Sequence, residues 1–155
     1  YRHADAIGLK SASQMLGEEI KHGDVLDLLR ATGLGRSVRI ATLRSLSNVE
    51  IESAGDFVVA VTSCSTHEGT VAGSLINAGA DASIVTNSKI PGLRLTTRAS
   101  HRAVENGLDM GSILSSLAES LGGEGGGHAG AAGWTTNIDR VEAISTILSR
   151  ISAVR

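Results

Sequence analysis

An α/β domain is predicted, built on a mixed sheet of four to five strands covered by helices and preceded by an N-terminal helical connector. Three observations in the 155 residues carry that expectation. Apolar residues recur at helical spacing through the first third, the period switches to two near Asn48, and strand-like and helix-like segments alternate from there on.

The elements follow in order. Ala12, Leu16 and Ile20 recur every fourth residue with Met15 beside them, and Gly23 offers a stop. Asp24 caps a short helix carrying Val25, Leu26, Leu28 and Leu29, which ends at Gly33 to Gly35. Residues 1–35 are therefore assigned to the connector. Between Arg36 and Leu46, Ile40, Leu43 and Leu46 at spacing three favour another helix with an apolar stripe.

Val49 and Ile51 alternate with Glu50 and Glu52, a turn follows at Ser53 to Asp56, and Phe57 to Val61 is a continuous apolar run. That pattern is a hairpin with a central second strand. Thr66 is expected to cap a helix holding Val71, Ala72, Leu75 and Ile76, which stops around Asn77 to Gly79. Ala82 to Thr86 is a strand, Asn87 to Gly92 a turn with the sole proline, and Leu93 to Arg98 another strand. In the latter, Leu93, Leu95 and Thr97 face one way and Arg94, Thr96 and Arg98 the other. One face packs; the other is left for solvent or ligand.

A polar stretch with His101 and Arg102 leads to Asp109, the expected cap of a helix with Met110, Ile113, Leu114, Leu117 and Leu121 on one stripe. The last helix starts at Asp139, with Glu142 at capping-box spacing, and carries Val141, Ile144, Leu148 and Ile151.

Composition bounds the function. The chain is 41% hydrophobic and 19% charged, as expected of a globular fold. A net charge of −2 argues against indiscriminate duplex binding. Three aromatic residues, Tyr1, Phe57 and Trp134, provide no platform for a run of bases. Cys64, the only cysteine, excludes a disulfide within the chain and a cysteine-rich zinc site, so a reducing, cytoplasmic setting is the default expectation. It ends an apolar run and is expected to be a buried, inert thiol. Neither a signal-peptide pattern nor a run of ~20 apolar residues suited to a membrane span occurs. The chain opens at Tyr1, which is consistent with a piece of a longer protein.

The most informative stretch is Gly125-Gly126-Gly127-His128-Ala129-Gly130-Ala131-Ala132-Gly133, in which residues of minimal bulk surround one imidazole. It is expected to be a loop whose amides approach an oxyanion, with His128 as a further donor, which suits a phosphate ester. A flexible linker is the bland alternative, but linkers are polar and do not run into two alanines and a tryptophan. Gly125, Gly127 and Gly130 also match the G-x-G-x-x-G dinucleotide fingerprint. The preceding segment is helix-like rather than strand-like and no acidic residue follows at the needed distance, so that assignment is rejected.

Leu93-Arg94-Leu95-Thr96-Thr97-Arg98, a helix, and the glycine-histidine stretch, in that order, resemble the DHH-associated, substrate-binding domain of the DHH phosphoesterases. That superfamily includes RecJ-like exonucleases, nanoRNases, cyclic dinucleotide phosphodiesterases and exopolyphosphatases. The resemblance covers residues 36 to 151, within a domain assigned to 36–155. It implies a separate N-terminal catalytic domain holding two divalent metals, manganese or magnesium, as the partner of this one. This chain has no Asp-His-His triplet and no Asp-x-Asp, and its five histidines stand apart, so the segment alone is expected to be inactive.

The resemblance also implies that Arg98 and His128, with Gly125, Gly126 and Gly127, hold the phosphate of a nucleotide, a short oligonucleotide or a single-stranded nucleic-acid end. Many relatives carry Ser directly after the arginine; here Ala99 stands there and Ser100 follows, which makes Ser100 the hydroxyl candidate. Trp134 is expected to pack beneath the glycine stretch. The competing readings are a non-catalytic interaction module of replication or repair and a domain of the alanyl-tRNA synthetase type. His128 counts against the last.

Overall fold

The computed structural model describes residues 34–87, 89 and 92–154. The two helices expected within 1–35 lie outside them. Helix α1, Arg36–Leu46, is followed by strands β1, Glu50–Ala54, and β2, Phe57–Ser63. Helix α2, Glu68–Asn77, then leads to β3, Ala82–Asn87, and β4, Leu93–Ala99. Helices α3, His101–Glu105, and α4, Met110–Leu121, precede the hairpin of β5, Glu124–His128, and β6, Ala131–Thr136. Helix α5, Arg140–Ser152, closes the described chain.

One six-stranded mixed sheet has the order β1-β2-β3-β4-β6-β5, one strand beyond the predicted maximum of five. Only β2 and β3 run parallel, joined across by α2. Gly55, at φ +61° in the two-residue β1–β2 turn, takes a conformation that a side chain disfavours.

The two-residue period sorts β2, β3, β4 and β6 onto two faces. One face carries Val59, Val61, Ile84, Leu95, Ala132 and Trp134, and these pack with Leu114 and Leu117 of α4 and Ala143, Ile147 and Ile151 of α5 in one apolar cluster. On the opposite face a smaller cluster joins Ala60 and Val85 to Val71, Ala72 and Leu75 of α2. That second cluster stops at β3. Beyond it, over β4, β6 and β5, the face carries none of the clustered apolar side chains.

Four expectations need correction. Thr66 does not cap α2; the N-cap is His67, in the left-handed region at φ 62° and without a side-chain cap. α1 turns its expected stripe outward: Leu43 is 68% exposed, whereas Thr42 and Ser45 are buried. The reason is a polar seam, in which Thr62 Oγ1 donates to Ser45 O (2.8 Å) and Ser45 Oγ donates to Ser63 O (3.3 Å). The α4 stripe holds, with Met110, Leu114 and Leu117 buried and only Leu121 at its end exposed, but in α5 the stripe shifts, leaving Val141 exposed while Ala143 and Ile147 turn inward. The polar stretch after Ser100, to which the sequence assigns no element, is a short helix, α3. The glycine stretch is not a loop but mainly an edge strand and its hairpin turn.

Asp109 caps α4 as expected, accepting from Ser112 N at 2.9 Å, and Asp139 caps α5, accepting from Val141 N at 2.8 Å. Among the described residues no helix is long and apolar enough to cross a membrane.

Candidate functional site

Register places the expected ligands in rows. Across β3, β4, β6 and β5, Ser83 pairs with Arg98, Arg98 with Ala131, and Ala131 with His128. Directly paired residues point to one face, so Arg98 and His128 flank Ala131 on the face left uncovered beyond α2. Two interstrand steps put their Cα atoms ~10 Å apart. The next row is Thr96, Gly133 and Gly126, and the third is Arg94, Thr135 and Glu124. The floor between these side chains is thus glycine, alanine and threonine, with Glu124 at the β5 end of the third row.

The hairpin turn that positions His128 is held from two sides. Ala99 N donates to Gly130 O (3.1 Å) and Met110 N, at the start of α4, donates to Ala129 O (3.2 Å). Arg98 and His128 are both exposed, and Arg98 has no ion pair among the described residues. Its guanidinium leans toward the first turn of α2, with Nη2 3.8 Å from where a Cβ on Gly69 would stand.

The three glycines serve different ends. A Cβ on Gly125 would stand 2.5 Å from Leu114 O, and one on Gly127 would strike Ala131 O. Both are glycines because α4 and β6 approach too closely for anything else. A Cβ on Gly126 meets only Ser115 Oγ, at 3.4 Å, so packing leaves room there. Gly126 is half-buried and lies in the row with Gly133 and Thr96, where a ligand could approach the main chain.

Ser100, the hydroxyl candidate, opens the segment after β4. It caps α3, its Oγ accepting from Ala103 N at 3.1 Å, while its own N–H donates to Asp81 O at 2.8 Å. Trp134 is buried at 1% exposure on the packed face, and its indole Nε1 donates to Gly122 O (3.1 Å).

Three residues beside this face were not singled out by sequence. Glu68, in the first turn of α2, accepts from Asn87 Nδ2 at 2.6 Å and lies 3.8 Å from Arg94 Nη1. The Asn87 bond, then the backbone amide and Arg94, hold its carboxyl below the ordinary range against the opposing effect of burial. Arg94 was visible on the same face of β4 as Arg98; nothing in the sequence linked either to Glu68.

Cys64 is half-buried rather than buried, beside a cavity of about 510 Å³ between α1 and the segment before α2. Burial pushes its thiol up, which disfavours the thiolate a nucleophile needs. Among the described residues no group of three or more His, Cys, Asp or Glu side chains could hold a metal ion. The chemistry this face can perform is anion binding, by a rigid guanidinium fork, an imidazole and accessible main chain.

Several solved structures share the fold. An exopolyphosphatase-related protein from Bacteroides fragilis aligns with TM-score 0.67 at 16% identity, over 98% of this chain and 45% of its own. A DHH domain from a member of a family of ribosomal proteins aligns with TM-score 0.57 at 15% identity, over 77% of this chain and 31% of its own. The pGpG-specific phosphodiesterase PggH from Vibrio cholerae aligns with TM-score 0.52 at 13% identity, over 92% of this chain and 46% of its own. The chain therefore spans less than half the length of each. No curated protein matches the sequence. The model of the DHHA1 domain matches residues 58–153, from β2 to the end of α5, and the chain belongs to that family.

Proposed function

We propose that this domain binds the phosphate of a nucleotide or short oligonucleotide within a metal-dependent DHH-type phosphoesterase, of the RecJ-like exonuclease or oligonucleotide phosphodiesterase kind. The observation that carries the reading is the row Arg98, Ala131, His128 on an uncovered sheet face, beside the bare positions Gly126 and Gly133. Family membership and the fold shared with an exopolyphosphatase-related protein and a pGpG-specific phosphodiesterase support the phosphoester class.

The division of labour follows from the donor set. Two divalent metals, manganese or magnesium, do not fit any side-chain group described here and belong to a separate catalytic domain of a cytoplasmic enzyme. There they would supply the activated water and stabilise the displaced oxygen. This chain's residues bind and orient. Arg98 presents two N–H groups to phosphate oxygens, His128 adds a ring N–H, and Gly126 lets the ligand come close to the backbone. Holding the phosphate in one geometry lowers the entropic part of the barrier without proton transfer from this domain.

Calorimetric titration of the complete protein with mononucleotide tests the reading. Arg98→Ala, at an exposed position, removes a charge-assisted contact of ~1.5–3 kcal/mol and is expected to weaken binding about tenfold to a hundredfold with no change in melting. Unchanged affinity would take Arg98 out of the site.

A further inference from the structure

We infer that Arg94 is a second phosphate contact, so that this face selects a strand of two or more nucleotides over a mononucleotide. The inference rests on the proposed function and extends it from one phosphate to a chain.

The alternation of β4 puts Arg94, Thr96 and Arg98 on the uncovered face, with both arginines exposed. Four residues of strand separate their Cα atoms by ~13 Å. Their heads lean toward consecutive residues of α2: Arg94 Nη1 stands 3.8 Å from Glu68 Oε1, and Arg98 Nη2 lies beside Gly69. A stacked strand rises ~3.4 Å per nucleotide, so about four steps cover the distance between the Cα atoms and fewer cover that between the converging heads.

Arg94 is held in place but not used up. Its partner Glu68 is anchored by Asn87, whose Nδ2 also donates to Ser65 O at 3.3 Å, so the carboxylate is held near the guanidinium. At 3.8 Å the ion pair is loose, and 49% of the Arg94 side chain remains open to solvent. A loosely paired, tethered guanidinium can accept a second anion with little loss of side-chain freedom.

The surface between the arginines favours a nucleotide chain. Thr96 and its neighbours Gly133 and Gly126 leave space for a sugar between successive phosphates. A linear polyphosphate would leave that floor uncovered. None of the residues in these rows is Phe, Tyr or Trp, and between the two arginines no side chain offers a stacking ring, so the contact there is to the sugar-phosphate backbone and tolerant of sequence.

The test compares a mononucleotide, a phosphorothioate tetranucleotide that resists hydrolysis, and a linear polyphosphate of matched charge, each titrated into the complete protein. The unaltered protein is expected to bind the tetranucleotide about tenfold more tightly than the mononucleotide, as one added charge-assisted contact provides. Polyphosphate should show a smaller gain. Arg94→Ala is expected to bring the ratio toward one, Arg94→Lys to retain part of it, and Arg98→Ala to weaken both nucleotide ligands. Circular dichroism checks that each variant is folded. A ratio that survives Arg94→Ala while Arg98→Ala still weakens binding overturns the second contact alone. An equal gain for polyphosphate overturns the nucleotide-chain assignment. Mononucleotide binding that ignores Arg98→Ala overturns the proposed function and this inference together.

Discussion

Gly111 on α4 and Gly127 on β5 meet so closely that a Cβ on Gly111 would stand 2.8 Å from the carbonyl oxygen of Gly127. The helix thus lies directly against the backbone of the edge strand. Gly125 repeats the arrangement one step along, under Leu114 O at 2.5 Å. Gly111→Ala and Gly125→Ala are each expected to cost about 1–3 kcal/mol by overpacking, read as a lower midpoint in urea. Gly126→Ala meets only a serine hydroxyl at 3.4 Å, though its φ of +158° still disfavours a side chain. It should therefore cost less than Gly125→Ala. Equal losses at both positions would remove the close approach as the reason for Gly125.

Asp109 begins α4 by accepting from Ser112 N at 2.9 Å and Ser112 Oγ at 3.0 Å. Asp109→Ala should destabilise the fold by ~1 kcal/mol, whereas Asp109→Ser should recover most of that loss, because either oxygen satisfies the helix amide. Chemical denaturation of both variants distinguishes a lost cap from a lost charge.

The β4 expectation could be read from alternation alone, since Leu93, Leu95 and Thr97 are buried and Arg94 and Arg98 exposed, as a two-residue period requires. Arg98 and His128 were also found in the sequence, but their common row depends on Ala131 lying between them, a matter of strand register rather than composition. The strand Gly125 to Gly127 was hidden because glycine carries no strand preference and its presence records the approach of α4, a contact distant in sequence. In α1 the spacing of Ile40, Leu43 and Leu46 identified the helix but not its inner face. Hydrogen bonds linking Ser45 to Thr62 and Ser63 decide that face, and hydrophobic periodicity cannot register them.

Glu68 links the α2 terminus to acidity. Its carboxyl lies below the ordinary value of 4.5, chiefly through the Asn87 hydrogen bond. A group whose folded-state value is depressed stabilises the fold above its unfolded-state value, and that contribution disappears as pH falls through the folded-state value. Stability should therefore fall on acidification below about pH 4.5, and Asn87→Ala should make that fall shallower. Denaturation midpoints across this acid range are the measurement. An unaltered acid slope in Asn87→Ala would dismiss the hydrogen bond as the cause.

Arg98 and His128 stand ~10 Å apart at Cα, with Ala131 between them, and no hydrogen bond or ion pair joins them in the free protein. Their alanine variants should be additive in stability to within ~0.5 kcal/mol. With mononucleotide bound to both, their effects on affinity should be non-additive. A double-mutant cycle measured with and without ligand separates shared binding from mere proximity.

Trp134 is the only tryptophan, fully enclosed and tied to Gly122, on the strand that pairs with both β4 and β5. The protein therefore carries a built-in fluorophore directly behind the anion-facing rows. Indole emission will report whether the hairpin stays docked when residues on its far side are altered, without any label attached.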